Sequence, residues 1–292
     1  MAGLPVPGRG LFASEMPAAT MAELTFLGTG TSMGVPTLGC TCGVCRSTDA
    51  RNNRMRSSIA LSYSGRTVLI DTGQDFRMQA LRFGVESVDA VLYTHGHADH
   101  VLGFDDLRPL TFGKTGRLPL YADDPTADTI ERIFDYTFTR RDRYPTSARV
   151  EMHRLSSEPG TTLDLFGACF ERVPVIHGRN CIAGYRFGRA AYLTDMSDIP
   201  ADSFDRLRDL DIVVLDALRR EPHPSHSHLD NSVALAERIG AKETYFTHIS
   251  HDLDHAATEA ELPAGVHMAY DGLRLTFTIA EGGTSIAQGG GA

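Results

Sequence analysis

The chain has 292 residues, with 28 Lys and Arg against 37 Asp and Glu, a formal charge of −9, and 42% hydrophobic residues. That composition excludes collagen, a coiled coil and a disordered chain. A chain of this length buries about three-quarters of its unfolded surface, so its core needs no disulfide staples, and its acidic balance argues against tracking a polyanion by charge alone.

Residues 1–20 carry three prolines, and their longest apolar stretch, Leu11-Phe12-Ala13, is too short for a secretory signal. They read as a flexible extension, with Met21 as an alternative start. No run of about 18 apolar residues occurs, so no membrane span is expected. Residues 24–27 read as a strand that breaks into Gly28-Thr29-Gly30-Thr31. Residues 58–63 and 67–70 read as a hairpin around Ser64-Gly65-Arg66. The spacing of Phe76, Ala80 and Phe83 predicts a helix over 74–83. Residues 90–93 form a short apolar strand, and 125–136 a helix with Ile130, Ile133 and Phe134 on one face. Three strands are expected between 168 and 193, a further one at 211–215, a helix at 229–239, and strands at 244–246 and 273–279. Residues 281–292 are rich in glycine and read as a flexible tail. Strand–helix alternation in both halves, with no linker, predicts one α/β domain over 21–280. Its site would lie at the ends of two sheets.

The chemistry-bearing residues follow apolar strands. Thr94-His95-Gly96-His97-Ala98-Asp99-His100 packs four potential ligands into six residues. Imidazole and carboxylate are the usual ligands of zinc and other divalent metals. In an extended turn His95 and His97 point to one side. A helix starting near Ala98 would turn Asp99 and His100 toward a second ion. His177, Asp195 and His248 each follow an apolar strand in the same way and complete a set of seven, with Asp195 as a bridge between two ions.

There are five cysteines. Their odd count and the missing signal point to a reducing, cytoplasmic setting. Cys169 and Cys181 read as small buried hydrophobes. Cys40, Cys42 and Cys45 form a C-x-C-x-x-C run that suits a structural zinc, for which His251 is the candidate fourth ligand. A redox thiol cluster is the alternative. Three more histidines, His223, His226 and His228, offer a general acid. Arg54, Arg56 and Arg179 read as solvated surface charges, with phosphate contact as the alternative.

The H-x-H-x-D-H run of residues 95–100 and the Leu69-Ile70-Asp71-Thr72-Gly73 turn resemble those of the metallo-β-lactamase superfamily. The resemblance covers roughly residues 23–280 and implies an αββα sandwich, two mixed sheets flanked by helices. It implies one ion on His95, His97 and His177, and another on Asp99, His100 and His248. Asp195 would bridge them and Asp71 would orient ligands from behind. Together with the cysteine run and Thr247-His248-Ile249-Ser250-His251, the pattern resembles the cyclic phosphodiesterase branch of the phosphonate pathway, a cousin of ribonuclease Z. In that branch Cys40, Cys42, Cys45 and His251 would hold a structural zinc, and the donor histidine falls on His226.

The resemblance implies hydrolysis of a small phosphodiester, preferably a cyclic nucleotide or a phosphoribosyl cyclic phosphate. Two zinc or manganese ions would supply hydroxide, with Asp99 and His226 as catalytic residues. The competing expectations are ribonuclease Z-like tRNA cleavage, a lactone or thioester hydrolase on the same fold, and a non-enzymatic metal-binding protein. Nucleic acid and membrane are not expected partners, and a homodimer is the default.

Overall fold

The computed structural model describes residues 19–139 and 146–280. The expected tail, and all but the last two residues of the expected extension, lie outside the described residues. Thr20, assigned to that extension, already pairs with Ala280.

The first half runs β1 (Thr20–Gly28), β2 (Ser58–Tyr63), β3 (Arg66–Ile70), α1 (Phe76–Phe83), β4 (Ala90–Leu92), α2 (Ala98–Val101), α3 (Arg108–Thr111), β5 (Leu118–Asp123), α4 (Asp124–Ile133), α5 (Asp135–Phe138) and β6 (Val150–Leu155). The second runs β7 (Thr162–Leu165), β8 (Ala168–His177), β9 (Asn180–Phe187), β10 (Ala190–Leu193), β11 (Ile212–Asp216), α6 (Leu229–Ile239), β12 (Glu243–Thr247), α7 (His255–Glu259), β13 (Val266–Met268) and β14 (Arg274–Ala280).

These strands form two seven-stranded sheets, ordered β14-β1-β2-β3-β4-β5-β6 and β13-β12-β11-β10-β9-β8-β7. Both are mixed. β3 to β6 and β10 to β13 run parallel, while the remaining neighbours run antiparallel.

The pleat explains the layering. Successive side chains of a strand face opposite ways. Val68 and Ile70 join the cluster between the sheets, together with Ile212 and Val214 from the opposite sheet. Leu69 points outward to a cluster with Phe76 of α1 and Ala127 and Ile130 of α4. Val213 and Leu215 point outward to Leu229, Leu235 and Ala236 of α6. Strands buried on both faces read as continuous apolar runs, as these do. The result is the αββα sandwich that the sequence led us to expect.

Two expectations on local structure need correction. The predicted helix over 125–136 is broken at Phe134, whose φ −110° and ψ 40° are not helical. Ile133 is accordingly 40% exposed and does not share the buried face of Ile130. Cys169 and Cys181 are exposed. Cys169 lies on the side of β8 opposite the buried Ala168 and Phe170, and Cys181 lies beside the tight turn that joins β8 to β9.

Candidate metal centre and active site

Five parallel strands end at one edge of the sandwich, and each hands over a polar residue. Asp71 follows β3, and Thr94 and His95 follow β4. Asp195 follows β10, Asp216 ends β11, and His248 follows β12. Asp71, Asp195 and His248 adopt φ of 65°, 56° and 58°. Non-glycine residues rarely hold this left-handed conformation, and where they do the strain commonly marks a functional site.

Asp71 is fully buried and organises the first loop. Its Oδ1 accepts a hydrogen bond from the Thr94 amide at 2.8 Å, and its Oδ2 accepts one from Thr94 Oγ1 at 2.8 Å. His100 Nδ1 lies 2.7 Å from the same Oδ2. This contact leaves Nε2 of His100 to face the centre. The helical turn of α2 begins at Ala98, after the extended His97. It places Asp99 and His100 beside Asp195 and His248.

The seven residues converge as two groups. Ligand atoms of His95, His97 and His177 lie within 4.8 Å of one another, and so do those of Asp99, His100, Asp195 and His248. Asp195 stands between the groups. Its Oδ1 is 3.2 Å from His100 Nε2, and its Oδ2 is 3.3 Å from His248 Nε2 and 3.7 Å from His95 Nε2. Burial pushes the Asp195 carboxyl up, but His100 and His248 outweigh it and hold it well below the usual range. Burial pushes His100 down, and Asp195, Asp99 and Asp71 outweigh that and drive it well above its ordinary value.

Nε2 of His100 and both ring nitrogens of His248 are buried without a hydrogen-bond partner among the described residues. Unpartnered buried polar atoms are costly. Divalent cations would satisfy these nitrogens and the facing carboxylates together, and the nitrogen–oxygen donor set suits zinc or manganese.

Sγ of Cys40, Cys42 and Cys45 lie 3.1, 3.5 and 3.5 Å from His251 Nδ1. Neighbouring ligands on a tetrahedral zinc sit roughly 3.5 Å apart, given bonds of about 2.0–2.3 Å. Backbone bonds already join the two loops concerned, from Thr31 N to Ile249 O at 3.1 Å and from Ile249 N to Thr29 O at 2.9 Å.

Of the three further histidines, His226 touches the centre. Its ring stacks on His248 at 4.6 Å and 7°, and meets His177 edge-on at 4.7 Å. Nδ1 lies 2.7 Å from Asp216 Oδ2. Burial and the neighbouring His248 hold the imidazole low, at about 4. His223 sits behind His226, with ring centroids 5.2 Å apart. His228 occupies the N-cap of α6.

Asp216 escaped the sequence reading, although the signal was available. It closes the apolar run Ile212-Val213-Val214-Leu215, as Asp71 and Asp195 close theirs. Arg54 also needs correction, because it is 3% exposed. Its Nη1 donates to Thr29 Oγ1 at 2.8 Å and to the Ala269 carbonyl at 2.6 Å. Arg56 pairs with Asp75 at 3.0 Å. Arg179 is exposed in the turn after β8, at the rim of a cavity.

Two cavities flank the centre. One of about 430 Å³ is lined by His95, His97, His177, Arg179 and Asn180. The other, of about 260 Å³, is lined by Thr31, Ser32, Arg219, His223, His226 and Asp252.

Three histidines and a buried set of histidine and aspartate, meeting at the edge between facing sheets, define a candidate metal centre of the metallo-β-lactamase fold. Residues 66–249 match the β-lactamase superfamily domain. A solved structure of a new diphosphatase from the PhnP family is 55% identical, with TM-score 0.84 over 89% of this chain and 98% of that one. The chain therefore belongs to the metallo-β-lactamase superfamily and, within it, to the PhnP family. An octanoyltransferase of Porphyromonas gingivalis is 38% identical over 253 residues, 85% of this chain and 50% of that protein. A ribonuclease Z of Clostridium acetobutylicum is 38% identical over 79 residues, 26% of this chain and 24% of that protein. The chain thus spans no more than half the length of these two relatives. No helix among the described residues is long and apolar enough to cross a membrane.

Proposed function

We propose that this chain is a metal-dependent phosphodiesterase acting on small, preferably cyclic, phosphodiesters. The observation that carries the reading is His226. It is stacked on His248, held by Asp216, and set on the wall of a cavity that opens beside the seven-residue centre.

In this reading His95, His97 and His177 hold one zinc or manganese ion, Asp99, His100 and His248 hold a second, and Asp195 is shared. Bound there, the ions would supply an activated water and neutralise charge on the phosphoryl oxygens. Asp71 fixes the ring of His100 from behind. His226 keeps Nδ1 toward Asp216, which leaves Nε2 to donate a proton to the departing ester oxygen. An approaching phosphate anion favours the imidazolium that donation needs. Cys40, Cys42, Cys45 and His251 hold a structural zinc.

A second reading is favoured by the 55% identical PhnP-family diphosphatase. The same groups would then cleave a phosphoanhydride. The octanoyltransferase name belongs to a protein twice the matched length, so acyl chemistry gains no support from it. Hydrolysis of a 2′,3′-cyclic nucleotide, a linear diester, a pyrophosphate diester, a phosphate monoester and a lactone, with zinc or manganese added, tests the readings. Diester turnover is the expected outcome. Turnover of the lactone alone would overturn both readings.

A further inference from the structure

Each cavity is lined by one arginine and one aspartate, the two differ in whether the arginine is engaged, and the position of His226 orients them. In an in-line displacement the proton goes to the oxygen that leaves. His226 lines the smaller cavity, so the leaving group projects there and the substituent kept on phosphorus projects into the larger one. His177 and His226, in contact at 4.7 Å, mark the boundary.

Arg179 is the one guanidinium lining the larger cavity among the described residues. It has no hydrogen-bond or ion-pair partner among them. Gly178, at φ 61°, turns the chain beside it and packs against Ser225 of the His226 loop. The sole acid of that cavity, Asp123, is already committed. Its Oδ2 is 3.3 Å from the buried Arg172, and its Oδ1 accepts from the Thr126 amide at 3.2 Å. In the smaller cavity the arginine is engaged, and Asp252 accepts from Ser250 Oγ at 3.1 Å. Arg219 spends Nε and Nη2 on the carbonyls of Glu221 and Pro222 at 3.1 and 2.9 Å, and the exposed Asp252 shares the wall.

We infer that Arg179 is a specificity-determining residue that reads an anionic group on the retained half of the substrate. The inference rests on the phosphodiesterase reading. It fixes the polarity of binding: the ester oxygen on the anionic side stays on phosphorus, and the oxygen facing His226 is the one released, as a separate alcohol from a linear diester or as the freed hydroxyl of an opened ring.

The test uses two isomeric p-nitrophenyl phosphodiesters. One carries a carboxylate on the retained alkyl group, the other on the departing nitrophenyl ring. Wild type should favour the first in kcat/KM by about tenfold or more, the scale of one charge-assisted hydrogen bond. Arg179→Gln should erase that ratio, and Arg179→Lys should restore part of it. Titration with 2-carboxyethyl phosphate, the retained product, should weaken about tenfold in Arg179→Gln. Wild-type turnover of both diesters without preference, or a preference that survives Arg179→Gln, overturns the inference alone. Wild-type failure on both diesters overturns the phosphodiesterase reading and the inference with it.

Discussion

Asp216 Oδ2 lies 2.7 Å from Nδ1 of His226, and the same oxygen lies 3.8 Å from Nδ1 of His248. One buried carboxylate thus faces both the proposed donor and a proposed ligand. It holds the His226 ring, which stacks on His248, and it leaves the other nitrogen of His226 to face outward.

If His226 donates the proton, its removal should matter in proportion to the basicity of the leaving group. His226→Asn should lower kcat by about 10²–10⁴ on a diester with an alkyl leaving group. The loss should be at least tenfold smaller on bis-p-nitrophenyl phosphate, whose nitrophenolate leaves without a proton. Elemental analysis should find the same metal content. Equal losses on both substrates would remove the donor role.

Asp71 is buried and touches Thr94 and His100. Asp71→Asn keeps the shape and loses the charge behind His100. Removing such a partner typically costs about 10–100-fold in metal affinity. Competition with a chelator should show that loss, and activity should return with excess metal. Unchanged affinity would mean that the carboxylate serves the loop alone.

His251→Ala should remove one bound zinc per chain and lower the melting temperature. The loops it joins would keep only their backbone bonds, such as Thr31 N to Ile249 O at 3.1 Å. A variant with unaltered zinc stoichiometry would rule out the four-ligand site.

Arg54→Met leaves its partners Thr29 Oγ1 and the Ala269 carbonyl short of a donor inside the protein. Stranding buried acceptors costs about 1–3 kcal/mol each, and a chemical-denaturation midpoint should fall accordingly. A solvated Arg54 would give a shift near zero.

Next to it, His255 sits 3.1 Å from Arg54 Nη2 and is buried. Burial, then the charge of Arg54, pushes its pKa from 6.5 down to about 4. The folded protein therefore resists the proton that the unfolded chain accepts. This contribution to stability is complete above pH 6.5 and is lost as the pH falls toward 4. Melting curves between pH 7 and 5 should fall more steeply for wild type than for His255→Asn. Parallel slopes would exclude the residue.

The candidate metal centre was legible as a cluster because histidine and carboxylate sit directly after apolar strands, and that pattern survives in a linear reading. Asp216 shows the limit. A single aspartate ending a strand gains meaning only when β11 lies beside β12 and brings it against His226. β5 was not among the expected strands, and it carries Pro119, a residue that seldom sits inside a sheet. In the fold, β4 pairs with β5 only from Leu120 onward, so the missing amide falls clear of that ladder. Arg54 was misread because charge usually means surface, and only the packed structure supplies the carbonyl and hydroxyl that let a guanidinium go inside.

The ligand candidates come from both sheets. Asp99 and His100 follow β4, and Asp195 and His248 follow β10 and β12. Neither half of the chain carries a full complement for the second ion, and Asp195 reaches across to His95. Cation uptake at this edge would therefore report assembly: a nascent chain would gain the proposed sites only once the late strands have docked onto the early ones. Every ion bound there would add its affinity to the clasp between the halves.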